Sequence, residues 1–230
     1  MGLVSVTGMD EKRTMRLEAL QRTILGCTRC VDAGYLAGAN PIFRGNAHHR
    51  NMIVGQAPGP RAHLSGTPWS GASGTLLKKW FTRAGFDPEG FLDDWYFTSL
   101  TRCFPGKSNH GAGDRAPSAA ERSLCRPHLD DEIALVQPRL IVTLGRLAVD
   151  ALIPEARSMT LRELVGSSFT LDLEYGPVAI VPLPHPSGVG RWLNDPANRV
   201  LVDQGLIRIA STIDLVCPLS SGLKHAPIDS

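Results

Sequence analysis

The sequence predicts an α/β fold: a three-layer α/β/α sandwich around a mainly parallel, four-stranded sheet. Two observations carry this. Four short apolar runs, at 50–56, 95–103, 139–145 and 176–184, read as strands buried on both faces. Helical segments separate them, and strands that alternate with helices build parallel sheets covered on both sides.

The elements follow in order. Residues 10–26 predict a helix, with Met15, Leu17, Leu20, Ile24 and Leu25 at helical spacing behind Asp10 as N-cap. "RNMIVGQ" is the first strand and runs into an Ala57-Pro58-Gly59 turn. Over 73–86, Leu76, Leu77, Trp80 and Phe81 share one helical face, and Gly85 suits the helix end. "WYFTSLTRC" is the second strand, followed by a polar, Gly/Pro-rich loop at 104–117. Ser118 and Glu121 form a capping box that opens a helix carrying Cys125 and ending near Pro138. "RLIVTLG" is the third strand, Arg146–Leu152 a short helix, "GPVAIVPLP" the fourth strand, and 198–215 a closing helix. There is no internal repeat and no low-complexity linker, so residues 1–230 read as one domain.

Bulk properties narrow the function. With 43% apolar and 20% charged residues, the composition is that of a globular protein with a substantial core. A net charge of +2 permits a nucleic-acid partner without requiring one. No uninterrupted apolar stretch reaches membrane-spanning length, and the N-terminal segment is charged where a signal peptide is apolar, so a cytoplasmic protein is expected. Five cysteines, an odd number, suit a reducing compartment better than a disulfide framework. Cys27 and Cys30 form a C-x-x-C, Cys103 and Cys125 follow far downstream, and Cys217 stands alone.

In such sheets ligands gather beyond the carboxyl ends of the strands. Segments 55–59, 98–103 and 184–188 lie there. In the last, His185 is set between Pro184 and Pro186, which restrict the backbone and present the imidazole in one orientation. Taken alone, a histidine in this setting reads more readily as a loop residue bonded to backbone.

Four segments in this order, "VGQAPG", "SGTPWSGASGTLL", "YFTSLTRC" and "PHPSG", resemble the uracil-DNA glycosylase superfamily, most closely its iron–sulfur family 4. That branch shows a G-E-A-P-G turn, a G-x-P-F-x-G-x-(A/S)-G segment, a strand ending in T-N-V-x-K-C, a late H-P, and four cysteines of similar spacing. The resemblance spans roughly residues 20–210. It implies a base-excision enzyme that flips uracil, or another deaminated base, out of DNA and hydrolyses its glycosidic bond.

The resemblance also implies roles. His185 would donate to the departing base. Gln56 stands where the family has Glu and would hold the water without acting as a base. Gly55, Ala57 and Gly59 would form the backbone turn facing the base. Trp69, in place of Phe, would stack on it, and Ser99, in place of Asn, would read its edge with a shorter hydroxyl. Ser73 and Ser187 would meet phosphates. Val189, Arg191 or Trp192 would fill the vacated stack, with Lys107, Arg115, Arg122 and Arg126 adding charge. His110 sits where a related branch traps the sugar covalently, but that branch's basic loop motif is absent here.

For Cys27, Cys30, Cys103 and Cys125 the resemblance implies a [4Fe–4S] cluster. Spacing alone equally permits a structural zinc or four separate buried thiols. A monomer acting on DNA, away from membranes, is expected. Two alternatives remain: a catalytically weak module that binds DNA or an altered base, and a phosphate-handling α/β enzyme. "GQAPG" lacks the Lys-Ser/Thr of a P-loop and is not a G-x-G-x-x-G, which counts against the second.

Overall fold

The computed structural model describes residues 5–108, 113–187 and 191–216. Strands β1 (Asn51–Gly55), β2 (Tyr96–Ser99), β3 (Leu140–Leu144), β4 (Phe169–Leu173) and β5 (Gly176–Leu183) form one sheet in the order β2-β1-β3-β5-β4. β2, β1, β3 and β5 run parallel, as expected. The four-stranded expectation is corrected by a fifth strand, β4, antiparallel to β5 at the sheet's edge. Its sequence, Phe-Thr-Leu-Asp-Leu, alternates half-buried and exposed positions, unlike the fully buried inner strands. A lone alternating run beside βα units does not declare its partner, and the pairing rests on the tight connection into Gly176, at φ +123°.

Each inner strand sends alternate residues to opposite faces. Met52, Val54, Tyr96 and Ile141 pack with Leu17 of α1 (Ser5–Leu25), Leu129 of α5 (Ala119–Val136) and Val149 of α6 (Arg146–Leu152). Ile53, Phe97, Val142 and Val181 pack with Leu77 and Phe81 of α4 (Ala72–Arg83) and with Leu206 and Ile209 of α8 (Pro196–Val216). These two cores on either side of one sheet make the three layers.

Some boundaries move. α1 begins at Ser5, so Asp10 lies inside it and pairs with Arg13 instead of capping. β2 ends at Ser99. Leu100 and Thr101 stay alongside the first strand's exit, donating to the carbonyls of Gly55 (3.0 Å) and Gln56 (3.4 Å), and the chain then turns toward Cys103. Three short helices that periodicity does not reveal also appear: α2 (Arg29–Asp32), α3 (Pro60–Ser65) and α7 (Leu161–Leu164). The Ser118/Glu121 capping box forms as expected. From β1 the chain passes to β2 on one side and later to β3 on the other. The crevice above β1 is therefore a topological switch point.

Candidate functional site

All four parallel strands end at one place. Gly55 closes β1 and is in register with Ser99 at the end of β2. Gly145 follows β3, and His185 lies two residues past β5. Trp69 joins them. A side chain on Gly55 would meet the indole Cζ2 at 3.1 Å and Ser99 Cβ at 3.8 Å, so glycine here lets the indole lie against the strand end. The indole and imidazole centroids are 6.1 Å apart, with the rings tilted by 43°. Gly145, at φ +86°, makes room for His185, whose Cβ would be 3.2 Å from a Cβ at that position.

Trp69 itself takes a left-handed conformation, φ 57°, unusual for an aromatic residue. Gly74, in the first turn of α4, allows it: a Cβ there would fall 1.5 Å from the Trp69 carbonyl oxygen.

His185 is half-buried, and burial pulls its pKa below the usual imidazole value, so the ring is neutral at physiological pH. Among the described residues neither of its ring nitrogens is hydrogen-bonded. The ring is held by packing and by a tight backbone turn in which Ser187 N–H donates to the His185 carbonyl (2.8 Å). Ser99 is buried, and its hydroxyl donates to the Thr101 carbonyl at 2.7 Å. Its proton is therefore committed, and what it offers a ligand is lone pairs. The Gln56 side-chain amide makes no hydrogen bond among the described residues, while the Gln56 main-chain carbonyl accepts from Thr101 N–H. Ala57 is half-buried beside it. Gly59 precedes α3, and the Asp114 carboxylate approaches to 3.9 Å of where its side chain would be. Sequence reading passed over Asp114, which is far away in the chain and lies in a polar loop. It pairs with Lys107 at 2.8 Å.

The four cysteines converge. Cys27 at the end of α1, Cys30 on α2, Cys103 beyond β2 and Cys125 on α5 line one cavity, shared with Arg102 and His128. All four are free thiols. Burial, and then the neighbouring thiols, push Cys30 up to about 11, and the same two influences push Cys103 up to about 11. Four ionised thiolates would repel one another here, so the set calls for a compensating cationic group. Among the described residues no three His, Cys, Asp or Glu side chains are grouped to hold a single metal ion.

Glu121 also borders this cavity. Its two carboxylate oxygens each accept from Arg115 at 2.7 Å, and Oε2 accepts from Ser118 N–H at 2.7 Å. The Arg115 guanidinium, with the capping-box bonds, holds its carboxyl down at about 2, against burial. A lowered carboxylate pKa stabilises the fold above about pH 4.5, and the stabilisation is lost as pH falls toward 2. Glu121→Gln should cost about 2 kcal/mol at pH 7, less than the full shift because Arg115 remains 32% exposed. Urea unfolding of both proteins from pH 7 to pH 3 checks this: the gap between them should narrow with acid.

A family model of the uracil DNA glycosylase superfamily matches residues 42–203. The chain belongs to this superfamily. The match takes in all five strands, Gly55, Trp69, Ser99, Cys103, Cys125 and His185, whereas Cys27 and Cys30 precede it. The chain is 29% identical over 187 residues to a type-4 uracil-DNA glycosylase of Pyrobaculum aerophilum, covering 80% of this chain and 88% of the relative. It is 25% identical over 196 residues to one from Sulfurisphaera tokodaii, covering 84% and 83%. A third, from Archaeoglobus fulgidus, is 26% identical over 179 residues, covering 75% and 82%.

On this uracil-DNA glycosylase fold the expected nucleic-acid residues are placed unequally. Ser73 is half-buried in the first turn of α4, whose N-cap, Gly71, supplies no side-chain cap and so leaves N–H groups free. Ser187 is half-buried. Arg191 is exposed, whereas Trp192 packs partly against the α8-side core. The four basic residues are all engaged: Lys107 by Asp114, Arg115 by Glu121, Arg122 by the Pro117 carbonyl, and Arg126 by Asp130 and the Ala151 carbonyl. Val189, His110 and Cys217 lie outside the described residues. No helix is long and apolar enough to cross a membrane, among the described residues.

Proposed function

We propose that the chain is a uracil-DNA glycosylase acting in base excision repair, with His185 as its electrophilic catalyst. The observation that carries this is a neutral, half-buried imidazole with unengaged nitrogens at the end of the last parallel strand, beside Trp69 and opposite the Gly55–Ser99 strand ends.

As the bond between base and sugar breaks, its electron pair goes to the uracil ring and the charge spreads onto O2. His185 donates an N–H to that oxygen, a donor aimed where charge develops. The sugar becomes oxocarbenium-like. A water held by the Gln56 amide adds to its anomeric carbon, and its proton passes to the departed uracil anion, which leaves as neutral uracil. Trp69 stacks on the base, and Ala57 and Gly59 shape the turn behind it. Ser99, its proton committed to Thr101, accepts from the N3–H of uracil. Cytosine carries a lone pair at that position, so the hydroxyl rejects it. Hypoxanthine and xanthine carry a comparable ring N–H and are the natural candidates for a wider range. Ser73, with the free N–H groups of α4, and Ser187 take phosphates. Of Arg191 and Trp192, Arg191 is the exposed one and leads into the duplex.

Cys27, Cys30, Cys103 and Cys125 would hold a [4Fe–4S] cluster. Four thiolates ringing a cavity suit a multi-atom group better than zinc, which draws its sulfurs to within about 2.3 Å of one point. The cluster would supply a structural cross-link, tying α1 and α2 to the β2 exit and α5. The chain works as a single-domain, cytoplasmic monomer in this reading.

Incubation with a single-stranded oligonucleotide carrying one uracil, followed by alkali, should give a strand break at that position. The same preparation should be brown and hold about four iron atoms per chain. Bound but unbroken oligonucleotide would instead mean a binding module, which the absence of a carboxylate at Gln56 would then explain.

A further inference from the structure

One residue touches both halves of the site. Arg102 immediately precedes Cys103 and is 2% exposed; its ion-pair partner Glu132, on α5, is fully buried. Glu132 also accepts from the Tyr96 hydroxyl at 3.0 Å and the Thr98 hydroxyl at 2.7 Å, so the carboxylate is saturated from β2. This fixes the guanidinium. One arm, Nη2, faces Glu132, and the other, Nη1, donates to the Ser99 carbonyl and lies 4.0 Å from Cys125 Sγ. Arg102 Nε is buried without a partner.

As a stability device this is a poor arrangement, because two well-packed apolar residues commonly serve a core as well as or better than a buried ion pair. What apolar residues would not do is place a positive charge between a thiol of the cysteine cavity and the strand end that presents Ser99. We propose that Arg102 is a positioning residue coupling the cysteine cavity to the base pocket. The same Nη1 that answers negative charge at Cys125 orients the Ser99–Thr101 turn, so occupancy of the cavity is felt at the base-reading hydroxyl. What the pocket binds rests on the glycosylase reading; the coupling does not.

Three full-length proteins test this: wild type, Arg102→Lys, and the double variant Arg102→Met/Glu132→Leu, which leaves no unpaired buried charge. Two readouts apply. One is the affinity for an oligonucleotide carrying 2′-fluorinated deoxyuridine, whose glycosidic bond resists cleavage, divided by that for the same oligonucleotide with thymidine. The other is the midpoint potential of the bound cluster. The double variant, checked for folding by circular dichroism, should lose about tenfold in the affinity ratio, the order expected for one charge-assisted hydrogen bond. Its potential should move to a more negative value, since a cation beside the cluster has gone. Arg102→Lys should keep the potential near wild type yet lose the ratio, because an ammonium lacks the two-armed fork. A folded double variant with an unchanged ratio and potential overturns the proposal. If wild type shows no preference for the uracil analogue, the glycosylase reading fails instead, and Arg102 is then judged by the potential: unchanged, it is overturned.

Discussion

His185→Ala should lower kcat for uracil release by about 10²–10³-fold, the usual loss when one donor to a developing anion is removed. KM should change little, since the donor acts on charge that exists mainly in the transition state. Folding should also change little, because the imidazole makes no hydrogen bond to any described residue and is only half-buried. The effect is therefore separable from stability, and single-turnover cleavage of a uracil oligonucleotide measures it directly. His185→Asn, which keeps an N–H donor on a shorter arm, should recover part of the loss. Burial also sets a pH signature. The folded imidazole titrates below its ordinary value, so the ring stays neutral as pH falls through 6.5, and since imidazolium would still donate an N–H this group should put no break in kcat at pH 6.5 or above. A wild-type rate that breaks at pH 7 or above, or an alanine variant as fast as wild type, contradicts the assignment.

Gly74→Ala should have the largest effect on stability. Its new methyl would lie 1.5 Å from the Trp69 carbonyl oxygen, a backbone atom that no rotamer change can move. Trp69 cannot give way easily, since it already holds a left-handed φ of 57° and its indole rests against Gly55. Overpacking of this kind costs about 3 kcal/mol or more where the obstacle is main chain. The relief would come from swinging the Trp69 segment outward, which also removes the stacking surface, so stability and base release should fall together. Gly38→Ala is the matched control: nothing lies within 4 Å of its added methyl, and stability should stay within about 0.5 kcal/mol of wild type. Urea titration of the two variants gives the comparison, and a Gly74→Ala protein as stable as Gly38→Ala would show that the Trp69 turn is not locked from α4.

How far the sequence could be read varies with the distance over which each feature is decided. The inner strands, the helix Arg146–Leu152 and the Ser118/Glu121 cap were legible because each depends on neighbours in the chain: apolar runs, periodicity, and a hydroxyl three residues before a carboxylate. β4 was missed although its alternation is present in Phe-Thr-Leu-Asp-Leu, because an edge strand becomes one only when a partner lies beside it. The short helices α2 and α3 were missed because four to six residues are too few for periodicity to register.

The same division runs through the site. By its motifs the sequence determined which residue types are present in order: the glycine turn, the tryptophan segment, the strand ending in Cys103 and the Pro-His-Pro. The sheet order β2-β1-β3-β5 decided that these ends meet above one switch point, and with it that His185 stands by Trp69, that Asp114 approaches Gly59, and that Arg102 reaches both Ser99 and Cys125. It also decided that the Ser99 proton is spent on Thr101, and that Arg115 clamps Glu121 rather than standing free for a phosphate. The physical reason is that a side chain's hydrogen-bonding state is settled by its neighbours in space. For a buried group those neighbours are set by how strands pair and helices pack, which no short window of sequence contains.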